Sequence, residues 1–258
     1  MFSANLGFLY TDLPLTDRIF AAKDDGFDAV ECHFPYDTPA PGVRAALKDT
    51  GLNMLGLNTV PGDVTAGDFG LCALPDRVTE ARAAIAQAVE YGVAIGALNV
   101  HVMAGRANGH DGADTVFMDN LIYACDLAAR ENMTILIEPI NQRDVPGYHL
   151  SKVEHARDII DTLGPENLRL MFDCYHVQIT QGDLVTRLKT NMPVIGHIQI
   201  AAVPDRGEPD QGEVDYIRLI REIRSMGFNG PIGAEYKPRY DSTKDGIGWL
   251  NAFKKDLT

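Results

Sequence analysis

At 258 residues, 45% of them hydrophobic and 23% charged, the chain has an ordinary globular composition, with enough apolar material for a sizeable core. A formal net charge of -13 argues against a nucleic-acid partner, whose phosphates call for a basic face. A small anionic substrate stays open, because one local cation is enough to hold it.

Taken in order, the chain opens on a short apolar run, Phe2 to Asn5, that reads as a strand, and then repeats one pattern. An amphipathic segment runs into glycine, and a short apolar run follows. Asp17–Asp25 leads through Gly26 to Ala29–Cys32, and Val43–Thr50 through Gly51 to Met54–Asn58. Asp76–Tyr91 leads through Gly92 to Leu98–Met103. Val153–Leu163 passes through Gly164 to Leu168–Asp173, and Tyr216–Met226 through Gly227 to Ile232–Glu235. Asn132 takes the glycine's place before Thr134–Glu138, as Asn191 does before Val194–Ile200. Both residue types tolerate the left-handed backbone that closes a helix. Ser151 and Glu154 have the spacing of a capping box at the start of one helix. With a last helix over Thr243–Leu257, the pattern predicts eight strands alternating with eight helices. Strict alternation demands a parallel sheet, and eight units in about 250 residues is the size of a closed (β/α)8 TIM barrel. An open doubly wound sheet usually carries GxGxxG after its first strand, where this chain has Asn5-Leu6-Gly7-Phe8-Leu9. No linker divides residues 1–258, so one barrel domain is expected. The long loops at Pro61–Pro75 and Ala201–Asp215 follow strands, which puts both on the catalytic face of a barrel; whether 61–75 acts as a lid is left open.

The four cysteines form no CxxC pair and read as buried, reduced thiols. No apolar run approaches the roughly 18 residues of a membrane span, and no basic region precedes an apolar one at the start. The expectation is a cytoplasmic protein without membrane association; a homo-oligomer is compatible with the sequence.

Chemistry collects at the ends of the late strands. The run Ile135-Leu136-Ile137 stops at Glu138, directly before Pro139, where a buried strand must give way to a loop. The next three strands finish near Asp173, Gln199 and Glu235. Parallel strands bring these four side chains to one end of the barrel. Three carboxylates alone would repel and raise one another's pKa; a divalent cation removes that repulsion, and an all-oxygen set suits Mg²⁺ or Mn²⁺. His176, three residues after Asp173, should face the same mouth as a substrate-binding group. Arg206 is the best cation for a ligand carboxylate or a metal-bound acid, with Lys237 a weaker candidate. His101 and Asn58 sit where they reach either substrate or a core hydrogen bond. Asp144 either binds a hydroxyl or caps a turn. His197 reads as a satisfied core histidine; His33, His110 and His149 carry no signal.

At these residues the chain resembles the hydroxypyruvate isomerase family, within the xylose-isomerase-like TIM barrels. The resemblance runs nearly end to end, through FSANL at 2–6, FPYD at 34–37, PGD at 61–63 with Ala66-Gly67, IEPIN at 137–141, DVPGYHL at 144–150, GHIQIA at 196–201, RGEP at 206–209 with GEVDY following, and EYKP at 235–238. It implies catalytic glutamates at Glu138 and Glu235 and a metal set of Glu138, Asp173, Gln199 and Glu235. The chain departs from the family around Phe69–Val78, where GDFG and PDRVTEA replace a more basic pattern, and this bears on the substrate. The expected reaction is interconversion of hydroxypyruvate and 2-hydroxy-3-oxopropanoate through an enediolate. The rivals are a 2-oxo-tetronate isomerase, a ketose 3-epimerase, a metal-dependent nuclease of the apurinic type and a non-catalytic sugar-acid binder. The nuclease reading wants zinc-binding histidines at strand ends and a basic face, and the sequence offers neither.

Overall fold

Strand and helix alternate throughout residues 1–257, which the computed structural model describes. The strands are β1 (Phe2–Asn5), β2 (Ala29–Glu31), β3 (Asn53–Met54), β4 (Gly56–Asn58), β5 (Asn99–His101), β6 (Thr134–Ile137), β7 (Leu168–Asp173), β8 (Ile195–Ile200) and β9 (Ile232–Ala234). All pairings are parallel, in the order β3-β2-β1-β9-β8-β7-β6-β5-β4. The expected third strand is split at Leu55. β3 pairs with β2, and β4 pairs with β5. Leu55 N donates to Val30 O (2.7 Å) and Cys32 N to Gly56 O (3.0 Å), so main-chain bonding continues across the break. Nine strand segments thus lie on eight staves, the (β/α)8 barrel the pattern called for.

The helices are α1 (Leu15–Asp24), α2 (Ala40–Thr50), α3 (Val78–Ile95), α4 (Ala113–Ala129), α5 (Val153–Leu163), α6 (Cys174–Thr180), α7 (Leu184–Asn191), α8 (Tyr216–Ser225), α9 (Thr243–Gly246) and α10 (Gly248–Asp256). Their inward faces follow the helical repeat. α5 buries Val153, Ala156, Ile159 and Ile160, and α8 buries Tyr216, Leu219, Ile220 and Ile223. Each such aliphatic side chain contributes about 1.5–3 kcal/mol by leaving water. The strands are apolar on both faces, as a sheet covered by helices requires: Ile135, Leu136 and Ile137 are all buried.

The expected last helix over Thr243–Leu257 is broken at Ile247 into α9 and α10, and three further local expectations differ from what is found. The left-handed residue after α3 is Gly96 (φ 79°), not Gly92, which lies inside the helix. A Cβ on Gly92 would stand 2.9 Å from Met133 Cε and 3.4 Å from Leu57 Cδ2, so this glycine lets α3 lie close to the barrel. Asn191 (φ -99°) is not left-handed; a 3₁₀ turn at Met192–Val194 carries the chain onward, and Asn191 Nδ2 donates to Arg187 O. The Ser151–Glu154 box does not form. The cap residue is Lys152, Val153 N donates to Gln181 Oε1 (2.9 Å), and Glu154 turns away to Gln181 Nε2 and Arg187. A tertiary contact has replaced the local one.

Both long loops fold onto the mouth. Residues 61–75 are tied by Asp63, which accepts from Thr65 N and Ala66 N, and by a bridge from Gly70 to Ala104. In the loop at 201–215, Arg239 pairs with Asp205 (2.7 Å) and Glu208 (2.9 Å). Among the described residues no helix is long and apolar enough to cross a membrane. The four cysteines are free and buried.

Candidate active site

Glu138 stands one residue beyond β6, Asp173 ends β7, Gln199 is the penultimate residue of β8 and Glu235 follows β9. Strand register sets their relative heights: Asp173 lies opposite Gln199, and Gln199 opposite Gly233. Glu235, two residues past Gly233, therefore projects to the same side one layer nearer the mouth. All four side chains are buried, at 0–6% exposure. Gly233 is the condition for this packing. A Cβ there would meet Glu31 Oε1 at 2.4 Å and Gln199 Cγ and His197 Nε2 at 2.9 Å.

The two glutamates differ in their surroundings. Glu235 Oε1 accepts from Asn5 Nδ2 (3.0 Å) and from His33 Nε2 (2.9 Å), while its Oε2 accepts from Arg206 Nη2 (2.5 Å). Burial works against its ionisation, but Arg206 and His33 outweigh burial and hold the carboxyl well below the usual carboxylate range. Glu138 has no such cation in contact. Its Oε2 lies 3.7 Å from His101 Nδ1 and its Oε1 is 3.8 Å from His176 Nε2. Burial first, then the charges of Glu235 and Asp173, push its pKa well up. Asp173 is raised to about 7, again by burial first.

Three buried oxygens point into this centre without a hydrogen-bond partner: Glu138 Oε1, Asp173 Oδ2 and Gln199 Oε1. Buried acceptors are normally satisfied, so three orphans in one place call for a shared partner. Ligand atoms of Glu138, Asp173 and His176 lie within 4.8 Å of one another. This oxygen-rich donor set fits a hard divalent cation. His176 has a different orientation from that of a simple ligand. Asn141 N donates to His176 Nδ1 (3.4 Å), with the Asn141 amide Nδ2 2.6 Å away, so Nδ1 is the acceptor and Nε2 carries the proton. Burial and Arg206 keep the ring neutral, its pKa well below the usual value. His176 is thus an N–H donor facing Asp173 Oδ2 (3.6 Å) and Glu138.

Arg206 adopts a left-handed backbone (φ 59°), which costs a non-glycine residue about 1 kcal/mol or more. Its N–H donates to Ala202 O, and its own carbonyl accepts from Lys237 N. The guanidinium is stacked between the rings of Phe8 (5.1 Å) and Tyr175 (4.9 Å). It is already engaged with Glu235 and lies 3.6 Å from Asp173 Oδ2, while Nε has no partner. The Lys237 ammonium lies over the Phe8 ring at 5.8 Å.

Glu138, His176, Arg206 and Glu235 line one cavity of about 190 Å³, together with His33, Asn58 and His101. Phe8, Phe34, Phe69, Met103, Ile140 and Val145 form its apolar wall. This is below the roughly 300–1,000 Å³ of pockets for drug-sized ligands and suits a small metabolite. Asp173 and Gln199 are outside this lining; Gln199 lines a second, smaller cavity with Asn5, Glu31, His101 and His197. Asp144 stands apart, accepting from Tyr175 Oη (2.7 Å) and Asn141 Nδ2.

Sequence reasoning missed Asn5, Glu31 and His33. Glu31 Oε2 meets His197 Nε2 at 2.6 Å beneath the site. Burial alone would lower the His197 pKa, but the Glu31 charge and hydrogen bond raise it. Asn5 and Glu31 end β1 and β2, so the rule that singled out the late strands also reaches them. His33, two residues past β2, carries no comparable signal.

A family model described as a xylose isomerase-like TIM barrel matches residues 19–253. The chain is 44% identical over 257 residues to the 2-oxo-tetronate isomerase of Cupriavidus necator, with 98% of each chain covered. It is 34% identical over 256 residues to the hydroxypyruvate isomerase of Escherichia coli, covering 98% of this chain and 99% of that one. A crystal structure described as AP endonuclease, family 2 from Brucella melitensis superposes with a TM-score of 0.93 at 35% identity, covering 97% and 98%.

Proposed function

The chain belongs to the xylose isomerase-like TIM barrel family, its curated relatives are isomerases, and we propose that it isomerises a small 2-oxo-3-hydroxy acid to the 2-hydroxy-3-oxo acid. The observation that carries this reading is the pair Glu138 and Glu235, which face one small cavity from two separate strand ends. The reaction moves one proton from C3 to C2 through an enediolate and a second from the C3 hydroxyl to the C2 oxygen, so the C3 hydroxyl becomes a carbonyl, the C2 carbonyl becomes a hydroxyl, and no atom is gained or lost. One glutamate removes the proton and the other delivers one, each from within hydrogen-bonding reach, about 3 Å. Glu235, kept ionised by Arg206 and His33, is prepared to act as the base. Glu138, on the other strand end, completes the pair; a cation held by both would keep it deprotonated until a proton reaches it, and the roles exchange in the reverse direction.

Glu138, Asp173, Gln199 and Glu235 would hold Mg²⁺ or Mn²⁺, which supplies Lewis-acid stabilisation of negative charge on the substrate oxygens. The His176 Nε2–H and the free Arg206 Nε–H are the donors for the substrate's carboxylate or hydroxyl. The apolar wall keeps water from the carbanionic carbon.

Three- and four-carbon acids share this chemistry. Where C3 carries only hydrogens the product is an aldehyde, as with hydroxypyruvate; where C3 bears another carbon it is a ketone. The 44% identity to the C. necator protein favours the four-carbon acid, and the E. coli relative favours hydroxypyruvate as the second reading. A nuclease, the reading that the description of the Brucella structure brings to mind, is opposed by the net charge of -13. The free, buried cysteines suit a reducing cytoplasm.

The test is a turnover assay on purified protein with both acids, with chelator and with Mn²⁺ restored. Turnover of the four-carbon acid that chelator abolishes and Mn²⁺ restores is expected. Turnover unaffected by chelator would remove the metal from the scheme, and turnover of neither acid would remove the isomerase reading.

A further inference from the structure

Three side chains that take no part in the isomerase site converge on the rim of the same barrel face. Asp114 sits in the first turn of α4, His155 in the first turn of α5, and His149 in the segment between β6 and α5. His155 Nε2 lies 2.8 Å and His149 Nε2 2.9 Å from the same carboxylate oxygen, Asp114 Oδ1. The donor atoms of all three fall within 4.8 Å of one another. His149 is held by its surroundings: its main-chain N–H donates to Gly105 O, and its ring meets Phe117 edge-on at 5.8 Å and His155 at 5.4 Å.

The His149 contact is not a hydrogen bond. Its Nε2 is buried and, despite the 2.9 Å separation, has no aligned partner. Burial lowers the His149 pKa, which favours the neutral imidazole that a metal requires.

The geometry points to a second metal site, in which His149 Nε2, His155 Nε2 and an Asp114 oxygen hold a borderline transition ion of the zinc class, with the remaining position open to solvent. Zinc takes nitrogen and carboxylate oxygen at about 2.0–2.2 Å, which places tetrahedral donors roughly 3.3 Å apart. The two His–Asp separations of 2.8 and 2.9 Å need lengthen by only about half an ångström to match, and Asp114 is exposed enough to give. Two imidazoles select Zn²⁺, Co²⁺ or Cu²⁺ over the hard ions suited to the oxygen-rich centre of the barrel, so the two sites sort their metals. A bound ion would tie α4 and α5 to the segment that begins at Glu138 and carries Asn141 and Asp144. Its role is that of a brace.

The test uses the full-length chain, stripped of metal and titrated with Zn²⁺, beside His155→Ala and Asp114→Asn, both at partly exposed positions outside the isomerase site. The wild type should bind one more equivalent of Zn²⁺ than either variant, or bind that equivalent at least about 100-fold more tightly. Zn²⁺ should raise the wild-type Tm and leave the His155→Ala Tm where it was, while Mn²⁺-supported turnover stays equal in both. Co²⁺ should show the intense visible absorption of a four-coordinate site in the wild type and lose it in the variants. Equal Zn²⁺ stoichiometry and affinity in wild type and both variants would overturn the site. The isomerase assay is read separately, so failure here leaves the reading of the central site untouched, and the converse holds too.

Discussion

Glu138 and Glu235 have the same side chain and different neighbours. Glu235 accepts from Asn5, His33 and Arg206, whereas Glu138 keeps a buried oxygen unbonded. Neutralising either by Glu→Gln should cost about 10²–10⁴ in kcat, the usual worth of a positioned acid or base, with the fold retained. On the proposed metal reading, protons compete with the cation. In the metal-free protein burial holds Asp173 at about 7 and raises Glu138, so a cation must displace protons that the ordinary carboxylate would have lost. The sign follows: lower pH means more bound protons and weaker metal binding. Mn²⁺ affinity measured by calorimetry should fall from pH 8 to pH 6 by up to about tenfold per unit for each proton displaced; an affinity flat across that range contradicts the assignment. At this scale the sequence was legible where an oxygen donor ended a strand. Asn5 and Glu31 obey that rule on the early strands and needed only its wider use. His33 was not legible, because its 2.9 Å contact with Glu235 joins residues 202 apart and nothing local announces it.

Elements matter here through how closely they approach. Gly233 in β9 leaves room for Glu31, His197 and Gln199, all buried. Gly233→Ala should destabilise the protein by about 1–3 kcal/mol, the usual cost of overpacking, and lower turnover with it. Gly92 in α3 faces the end of the flexible Met133 side chain at 2.9 Å, which can move aside. Gly92→Ala should be near neutral, since about 1 kcal/mol of helix propensity offsets the crowding. Urea midpoints of the two variants check the pair; a Gly92→Ala loss as large as that of Gly233→Ala contradicts it. The helix ends show what local pattern does and does not reveal. Gly26, Gly51, Asn132, Gly164 and Gly227 take positive φ as expected, each lying just past the end of a helix. Gly92 and Asn191 misled because a packing glycine and a 3₁₀ turn look the same in sequence as a helix stop. The Ser151–Glu154 box failed for a related reason: Gln181 and Arg187, about 30 residues on, compete for Glu154.

For the whole molecule, eight repeats of one helix–strand unit made the barrel legible, since a parallel sheet of that size closes. The break at Leu55 was not, because a split stave preserves the apolar pattern while changing which neighbour each half bonds. The same closure brings residues as distant as Asn5 and Glu235 to one mouth, where acidic groups outnumber the cation Arg206. The central claim is that two glutamates move a proton between C3 and C2, and running the reaction in D₂O tests it most directly. With Mn²⁺ present, NMR should show the 2-oxo-3-hydroxy acid converting to its 2-hydroxy-3-oxo isomer with solvent deuterium at C2, and Glu138→Gln and Glu235→Gln should each lose about 10² or more of that rate. Isomer formed without deuterium, as a direct hydride shift would give, or a near-normal rate in either variant, contradicts the account.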